Sequence, residues 1–423
     1  MKVIVIGGGW AGCAAAVSAK KQGADVLLLE RTDMLLGTGL VGGIMRNNGR
    51  LTATEELKAM GGGDIFAVVE SNFIHKDITF PGHNHASLYD VSTMEPKIKR
   101  FLHDAGICIE TGCRVTDVEM EKTQITAVMA KKAKKTHCFD ADVFIETTGT
   151  AGPPANCVKY GNGCAMCILR CHSFGGRVSI AARAGVAEIN GHKGGQTGAV
   201  SGSCKLHKDS LAPDLQKEQN KKGVAVIPLD EHLRMTGKLS VKACQQYAIA
   251  DFENNVILLD TGHAKLMTPF FPLDDFRKIP GLENARFEDP YAGGIGNSVR
   301  YMGMSPRDDA LKVDRVDNLF CAGEKAGLMV GHTEAICTGT LAGVNAVKLA
   351  RGKTLLVLPE DVVLGDAVAF VRQQMQTPEG LGLKFTFSGS VLFDRMKQKQ
   401  MYATDPDLIT GRVKKAGLEN ILS

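Results

Sequence analysis

Short apolar runs separated by a small-residue segment open the chain. Val3 to Ile6 form a continuous apolar run of strand length, and Val26 to Leu29 form a second one. The segment between them is rich in alanine and ends with Lys20, Lys21 and Gly23, which is typical of a helix and its C-terminal cap. The pattern therefore predicts a buried strand, a helix and a second buried strand, as in a parallel sheet.

Three glycines and one acid mark this unit as a candidate ligand site. Gly7, Gly9 and Gly12 follow the first strand at G-x-G-x-x-G spacing, and Glu30 follows the second strand. Glycines at this spacing let the backbone approach a pyrophosphate at the helix N-terminus, and the acid can accept hydrogen bonds from a ribose 2′-OH. We therefore predict dinucleotide binding. A carboxylate would repel a 2′-phosphate, which leaves FAD or NAD as the ligand.

The apolar pattern continues with a helix and a small meander. Met94 to Ala105 has the periodicity of an amphipathic helix. Three predicted strands follow at hairpin spacing: Val115 to Met120, Ile125 to Ala130 and Cys138 to Asp140. The run KKAKKTH between the last two is predicted to be a solvated hairpin tip. A further buried strand, Val143 to Thr147, leads into Gly149. This order resembles the way two-dinucleotide-fold flavoproteins return to their FAD sheet, and it places a boundary near residue 150.

Two segments between these elements carry glycines and histidines. The stretch GTGLVGGIMRNNGRLT is apolar and glycine-dense, and we expect Gly42 and Gly43 to admit a cofactor pressed against it. We interpret His75, His83 and His85 as surface histidines of a polar loop rather than as metal ligands.

Four cysteines lie within fifteen residues just past the predicted boundary. Cys157, Cys164, Cys167 and Cys171 have C-x6-C-x2-C-x3-C spacing, with several glycines around them. One compact loop that offers several thiolates is typical of a [4Fe-4S] site. Zinc, a redox-active pair formed by Cys164 and Cys167, and four unligated thiols are the alternatives.

The middle of the chain is less regular. We predict a small-residue helix within Val178 to Ile189. Gly191 to Lys205 is glycine-rich and His207 to Gly223 is polar, so both are predicted to be mobile loops, with a lid over the active site as one interpretation. Val224 to Ile227 and Val256 to Leu259 are predicted strands of an inserted domain that ends near residue 290.

A third stretch contains a strand that ends in Ala-Gly-Glu. Gly323 and Glu324 are followed by a loop and by a predicted helix from about Thr333 to Ala350, whose small residues share one stripe: Ala335, Gly339, Ala342, Gly343 and Ala346. The stretch resembles the second FAD motif of a flavoprotein superfamily, in which the acid binds the ribitol chain and the helix N-terminus faces the flavin pyrimidine. No motif indicates the catalytic residues. His332 and Glu334 are the candidates.

Three segments together resemble the FAD-dependent tRNA-modifying flavoproteins, which include GidA and the folate-dependent tRNA methyltransferases. They are the N-terminal fingerprint, the block from IPGLENARFEDPYA to LFCAGEKAGLMVGHTEAICTGTLAGVNAV, and LPEDVVLGDAVAFV. The methyltransferases use a cysteine soon after the ribose-binding acid, and GGIMRNNGR has none. The cysteine-rich loop is more similar to FAD oxidoreductases that carry an iron–sulfur site. The predicted cofactor-binding residues are Gly7, Gly9, Gly12, Glu30, Arg31, Gly42, Gly43, Val115, Gly149, Gly323, Glu324 and Gly339.

The expected fold is α/β, with a Rossmann-like FAD-binding domain of the glutathione-reductase type. Residues 1–150 and 291–352 would form its two parts, residues 151–290 an inserted α+β domain for substrate or cluster, and residues 353–423 a helical segment. Only one dinucleotide fingerprint occurs, so a separate NADH domain is not expected.

Charge and composition restrict the function. The chain has 423 residues, and 50 basic against 46 acidic residues give a formal charge of +4, too balanced for a dedicated nucleic-acid surface. No apolar run reaches the length of a membrane span, and the opening strand leaves no room for a signal peptide, so we expect a cytoplasmic protein.

The first hypothesis for the function is an FAD oxidoreductase whose cluster relays electrons. A folate-using RNA-modifying enzyme and an electron-transfer subunit remain open. Expected partners are a small molecule or a redox protein, nucleic acid is disfavoured but open, and a homodimer is allowed.

Overall fold

Strands and helices are spread along the chain in the computed structural model, which describes residues 1–150, 170–193, 196–197, 199–201, 204–234, 245–267, 271–288, 298–300 and 303–423. The strands are β1 Lys2–Ile6, β2 Asp25–Leu29, β3 Ile44–Met45, β4 Phe73–Phe80, β5 His83–Tyr89, β6 Cys108–Glu110, β7 Arg114–Glu121, β8 Gln124–Lys132, β9 Lys135–Asp140, β10 Val143–Glu146, β11 Ile189–Asn190, β12 His192–Lys193, β13 Gln196–Thr197, β14 Ala199–Ser201, β15 Cys204–Leu206, β16 Val224–Pro228, β17 Asn255–Asp260, β18 Ala264–Leu266, β19 Ser298–Arg300, β20 Gly303–Met304 and β21 Leu319–Cys321. The α-helices are α1 Trp10–Lys21, α2 Gly39–Gly42, α3 Gly49–Ala59, α4 Asp64–Glu70, α5 Met94–Asp104, α6 Cys171–Phe174, α7 Ile180–Arg183, α8 Pro213–Lys222, α9 Asp251–Asn254, α10 Leu273–Phe276, α11 His332–Ala350, α12 Val363–Gln374, α13 Pro378–Leu381, α14 Ser390–Gln398 and α15 Pro406–Lys415. Single 3₁₀ turns span Lys208–Ser210, Glu231–Leu233, Gln245–Tyr247 and Gly323–Ala326.

A five-stranded parallel sheet, in the order β21-β10-β1-β2-β6, lies at the centre of the fold. The apolar residues of β1, β2, β10 and β21 are buried, as expected for a sheet covered on both faces, whereas the edge strand β6 is half-exposed. Strand β21 pairs with β10, so the chain returns to this sheet after the residues that intervene between them. The predicted α/β fold with a parallel sheet is confirmed.

Helices α1 and α11 pack unusually close together against this sheet. A Cβ atom on Gly339 would lie 2.2 Å from the carbonyl oxygen of Ala11, and one on Gly343 would lie 2.5 Å from that of Ala15. Both distances are far shorter than a real contact, so only glycine permits this approach. The small-residue stripe of α11 therefore contacts the backbone of α1.

Two smaller antiparallel sheets extend the central unit. Strands β7, β8 and β9 form the predicted meander, and its exposed tip at Ala133 and Lys134 has left-handed backbone at both positions. The hairpin β4–β5, joined to β3, was not predicted. Strand β4 is largely exposed and its pairing with β5 shifts register, so it lacks the regular apolar alternation that indicates a strand.

A four-stranded antiparallel sheet, in the order β15-β18-β17-β16, has a hydrophobic core of its own that includes Leu206, Leu258 and Phe276. The pairing of β16 with β17 brings together the two strands predicted for the insert. The prediction of a loop from His207 to Gly223 is wrong, because the segment contains the helix α8, Pro213–Lys222. Gly223 caps this helix in left-handed conformation. Its almost wholly polar sequence hides the helical period, while proline and glycine mark its ends.

Two further predictions for the middle of the chain need correction. The helix predicted within Val178 to Ile189 is shorter, because α7 stops before Gly185, which has left-handed backbone. The segment from Gly191 to Lys205, predicted as a loop, contributes strands in the part of it that the structure describes. Within it β12 pairs with β13, while β14 pairs with β19 and β15 with β18.

The C-terminal segment is helical and packs onto α3. Buried Glu56 of α3 accepts a hydrogen bond of 2.7 Å from the backbone of Val363 and pairs with Arg412 of α15 at 2.8 Å. Burial raises the pKa of Glu56 to about 7, against the opposing effect of the guanidinium. In the described part of the chain, no helix is long and apolar enough to cross a bilayer.

The contact between α1 and α11 predicts a specific stability effect. Gly339→Ala should destabilise the protein by about 1–3 kcal/mol, because the methyl group must push the two helices apart. The matched control is Gly411→Ala in α15, where nothing lies within 4 Å of the added Cβ. This control should stabilise the protein by up to about 1 kcal/mol, because alanine has a higher helix propensity than glycine. Urea unfolding midpoints test both, and equal effects would contradict the close packing.

Candidate functional site

A long cleft runs along the edge of the parallel sheet where β1, β10 and β21 end. Its lining includes residues from both predicted motifs, and the gathering of distant segments at the carboxyl ends of parallel strands is where α/β folds bind ligands. The predicted residues that line the cleft are Gly7, Gly9, Glu30, Arg31, Gly42, Val115, Gly149, Gly323, Glu324 and His332.

The first motif offers space and polar groups at the N-terminus of α1. A Cβ on Gly9 would meet nothing within 4 Å, so the missing side chain leaves open cleft beside the backbone. Glu30 Oε2 accepts from Gly8 N at 2.6 Å, and its Oε1 accepts from Thr32 N at 2.8 Å and Thr32 Oγ1 at 2.9 Å. A carboxylate has roughly four acceptor positions, so one remains for a ribose hydroxyl. These residues fit the adenosine and pyrophosphate of FAD.

The second motif is held next to the first by buried charges. Glu324 lines the cleft, and its Oε2 accepts from Thr150 Oγ1 at 2.7 Å. The next residue, Lys325, is fully buried and lies 3.4 Å from the carboxylate of buried Glu146 at the end of β10. Its ammonium also bonds Ser179 at 2.7 Å and the carboxylate of Glu188. The loop that carries Glu324 is therefore anchored on both sides.

Four predicted residues lie outside the cleft lining and have packing roles. A Cβ on Gly12 would lie 1.8 Å from Gly7 O, which is why α1 can follow the turn so closely. Gly339 contacts α1 in the same way. Gly43 has a φ of +79° and lies against Thr261. Glu334, a catalytic candidate, is fully buried in an ion pair.

The partner of Glu334 is Arg50 of α3, which no sequence motif indicates. Arg50 Nε lies 3.1 Å from both carboxylate oxygens of Glu334. Glu334 also accepts from Thr386 Oγ1 at 2.7 Å and from Phe387 N at 2.8 Å. The buried carboxylate of Glu334 therefore joins three segments of the chain. The role of Arg50 could not be predicted, because it lies 284 residues from Glu334 in sequence.

The end of the cleft beside the N-terminus of α11 has an aromatic and a cationic wall. The His332 ring lies about 6 Å, centroid to centroid, from Trp10 (6.0 Å) and Tyr89 (6.1 Å). Tyr89 donates its hydroxyl proton to Gly39 O at 2.8 Å. Lys265 of β18 also lines the cleft, and it donates to Val41 O at 2.6 Å and to Gly42 O. The insert contributes further lining from Gln246, Tyr247 and Met267, none of which a sequence motif indicates.

The prediction of surface histidines is wrong for His83 and His75. His83 is 2% exposed, its Nδ1 lies 2.9 Å from Asn47 Nδ2, and its Nε2 lies 3.1 Å from Gln246 O. The amide donates and the carbonyl accepts, so the neutral ring carries its proton on Nε2. Burial, helped by the charge of Arg50, lowers the pKa of His83 to about 3. His75 is mostly buried beside Asp260, and His85 is the partly exposed member.

Four further arginines line the cleft. They are Arg31, Arg114, Arg170 and Arg177. Burial lowers the pKa of Arg31, whose guanidinium donates to Gly175 O. Arg177 pairs with Glu188 at 2.8 Å. Although burial alone would raise the pKa of Glu188, Arg177 and Lys325 lower it to about 2.

Of the four clustered cysteines, Cys171 is half-buried at the start of α6. Cys157, Cys164 and Cys167 lie outside the described residues, so the metal site stays a prediction. Among the residues that the structure describes, no group of three or more histidine, cysteine or acidic side chains is arranged to hold a metal.

Known proteins resemble this chain at two levels. A family model described as "Glucose inhibited division protein A" matches residues 2–233 and 272–354. The methylenetetrahydrofolate–tRNA-(uracil-5-)-methyltransferase TrmFO of Streptococcus sanguinis is 36% identical over 98 residues, which are 23% of this chain and 21% of the relative. The TrmFO of Dictyoglomus thermophilum is 37% identical over 98 residues, with the same coverage. The matched stretch thus spans about a fifth of these relatives.

Among solved structures, Aquifex aeolicus GidA in a form II crystal covers all of this chain and 74% of its own, with a TM-score of 0.68 at 17% identity. The form I crystal gives a TM-score of 0.66 at 16% identity. At this identity the likeness concerns the fold.

The buried neutral His83 predicts an acid-sensitive contribution to stability. Because its folded pKa of about 3 is below the ordinary 6.5, the unfolded chain binds more protons between these values. Its contribution is present above about pH 6.5 and is lost as pH falls, by up to about 1.4 kcal/mol per unit. His83→Gln should flatten the pH dependence of the unfolding free energy between pH 6.5 and 4.5. His85→Gln in the same hairpin is the control, and an equal slope in both variants would contradict the assignment.

Proposed function

We propose that this chain, which belongs to the glucose inhibited division protein A family, is an enzyme that binds FAD without a covalent bond and catalyses an oxidation–reduction reaction. The observation that carries this proposal is the single cleft lined by Gly9 and Glu30 of one motif and by Glu324 of the other. A ligand with an adenosine diphosphate at one end and a ring system at the other matches both motifs at once.

Specific residues would hold each part of FAD. Glu30 would accept from the adenosine ribose, and the backbone at Gly9 would contact the pyrophosphate at the N-terminus of α1. Glu324 would bind the ribityl chain, and the start of α11 at His332 would border the flavin ring. FAD supplies two-electron chemistry and can exchange electrons singly with a redox partner.

The flavin end of the cleft would also bind the substrate. Lys265 holds the backbone of Val41 and Gly42 in place beside His332, so the insert shapes this wall. Buried Tyr247 and Met267 add apolar surface that excludes water. Of the two catalytic candidates, His332 borders this space and Glu334 does not, which leaves His332 as the candidate for proton transfer. We propose a small molecule or a redox protein as the partner.

The FAD assignment is tested at Gly9. Gly9→Ala has an ordinary backbone conformation and no steric neighbour, so the fold should stay intact. Its methyl group enters the space required by the pyrophosphate and should lower FAD affinity by at least about tenfold, as measured by titration of apoprotein. Gly9→Val should abolish FAD retention. A fully flavinated Gly9→Val protein would refute the assignment, and Gly411→Ala is the control for glycine replacement.

We further propose that Cys157, Cys164, Cys167 and Cys171 hold a [4Fe-4S] cluster that exchanges electrons with the flavin. Its support is the spacing of the thiols and the position of Cys171 in α6, whose C-terminal cap Gly175 accepts a hydrogen bond from Arg31 of the cleft lining.

Protein prepared without oxygen should contain iron and acid-labile sulfide. Cys164→Ser and Cys167→Ser should lose both while they retain FAD, because a cluster rarely tolerates the loss of a ligand. Cys138→Ser, at an exposed position in β9, should change neither. Zinc in place of iron, or no metal, would contradict the cluster and leave the FAD assignment intact.

RNA modification is the second candidate function, and the methyltransferase activity named for the TrmFO relatives favours it. Against it stand the absence of a cysteine in GGIMRNNGR and the balanced charge. We expect no specific retention of transcribed tRNA in a gel-shift assay at physiological salt. Retention that falls with rising salt, with a preference for tRNA over an unrelated RNA, would reverse this ranking.

A further inference from the structure

Three residues far apart in sequence converge on the surface where the insert meets the central unit. Ser92 follows β5, His263 lies in the turn between β17 and β18, and Glu288 follows the core of the insert sheet. Ser92 Oγ lies 2.8 Å from His263 Nε2, and His263 Nδ1 contacts Glu288 Oε1. None of the three lines the flavin cleft.

The protons of this group can be assigned from its partners. An ionised Glu288 carboxylate only accepts, so His263 carries a proton on Nδ1. In the neutral ring Nε2 is then an acceptor, and the hydroxyl of Ser92 must be the donor. The result is a hydroxyl bonded to an imidazole that is oriented by a carboxylate, which is the arrangement that activates serine nucleophiles.

Backbone contacts hold the members in place. Val91 N donates to Thr261 O at 3.1 Å, which ties the segment before Ser92 to the turn that carries His263. Ser92 N donates to Asp90 Oδ1 at 2.8 Å. That turn requires Gly262, which has a φ of +83° and would place a Cβ 2.3 Å from Asp90 Oδ1. On the third side, Glu288 N donates to Lys205 O at 3.0 Å.

The serine of this group is exposed to solvent, whereas its histidine and its carboxylate are mostly buried. Ser92 is exposed, whereas the side chains of His263 and Glu288 are 24% and 17% exposed. A reagent can therefore reach the hydroxyl, while the histidine and the carboxylate are partly shielded from water. Burial lowers the pKa of Lys205, and the nearby carboxylates of Glu288 and Asp90 oppose this effect.

We propose that Ser92, His263 and Glu288 form a second reactive centre that cleaves small carboxylic esters by acyl transfer. Ser92 Oγ forms a bond to the ester carbonyl carbon while its proton passes to His263 Nε2. The carbon–oxygen bond to the alcohol then breaks, and the alcohol leaves with that proton. Water, deprotonated by the same nitrogen, releases the acid and restores Ser92. Glu288 acts as a positioning residue for the imidazole.

The first test is covalent labelling of the full-length, FAD-containing protein with a fluorophosphonate, followed by peptide mass spectrometry. The proposal predicts one adduct, on Ser92. Ser92→Ala should lose it, and His263→Gln should slow labelling by about 100-fold, the size of a general-base contribution. His103→Gln, at an exposed histidine next to Asp104, and Thr93→Ala should label like the parent protein.

The second test is the hydrolysis of p-nitrophenyl acetate. Turnover should disappear in Ser92→Ala and fall at least about tenfold in Glu288→Gln, while the circular dichroism spectrum and FAD content stay unchanged. Those two measurements separate loss of the nucleophile from loss of the fold. An unlabelled Ser92, an equal labelling rate in His263→Gln, or turnover that survives in Ser92→Ala would each overturn the proposal. None of these outcomes bears on the FAD assignment.

Discussion

The backbone contact between α1 and α11 is the constraint on which the rest of the structure depends. Gly339 and Gly343 let α11 approach the carbonyl oxygens of Ala11 and Ala15, which no larger residue permits. Each helix begins at one of the two predicted cofactor motifs. Their close packing therefore sets the distance between those motifs, and it brings residues more than 300 positions apart in sequence to one cleft.

The insert completes the cleft through a few polar contacts with the central unit. Lys265 binds the carbonyl groups of Val41 and Gly42, and the imidazole of His83 holds the backbone of Gln246. Both contacts lie beside the proposed flavin end. The position of the insert sheet thus shapes the wall at the proposed flavin end. The low pKa of His83 keeps its ring neutral, so its contact persists throughout the physiological pH range.

The sequence predicted local elements well and long-range contacts poorly. Gly7, Gly9 and Glu30 could be found because one strand–helix–strand unit contains the whole pattern. Arg50 and Glu334 could not be paired, since their ion pair joins segments 284 residues apart. Helix α8 and strand β4 were missed because polar or irregular faces leave no hydrophobic period. The polar residues around His75 and His83 predicted surface positions, but contacts with Asp260 and Gln246 of the insert bury both side chains.

Titration of the apoprotein with FAD, ADP-ribose and FMN shows whether both motifs belong to one FAD site. In the proposed site FAD would contact both motifs, whereas ADP-ribose would reach only the Glu30 side and FMN only the Glu324 side. We therefore expect FAD to bind at least about a hundredfold more tightly than either fragment, because one linked ligand gains from both ends. Equal affinity of FAD and ADP-ribose would contradict it, since the second motif would then contribute nothing to binding.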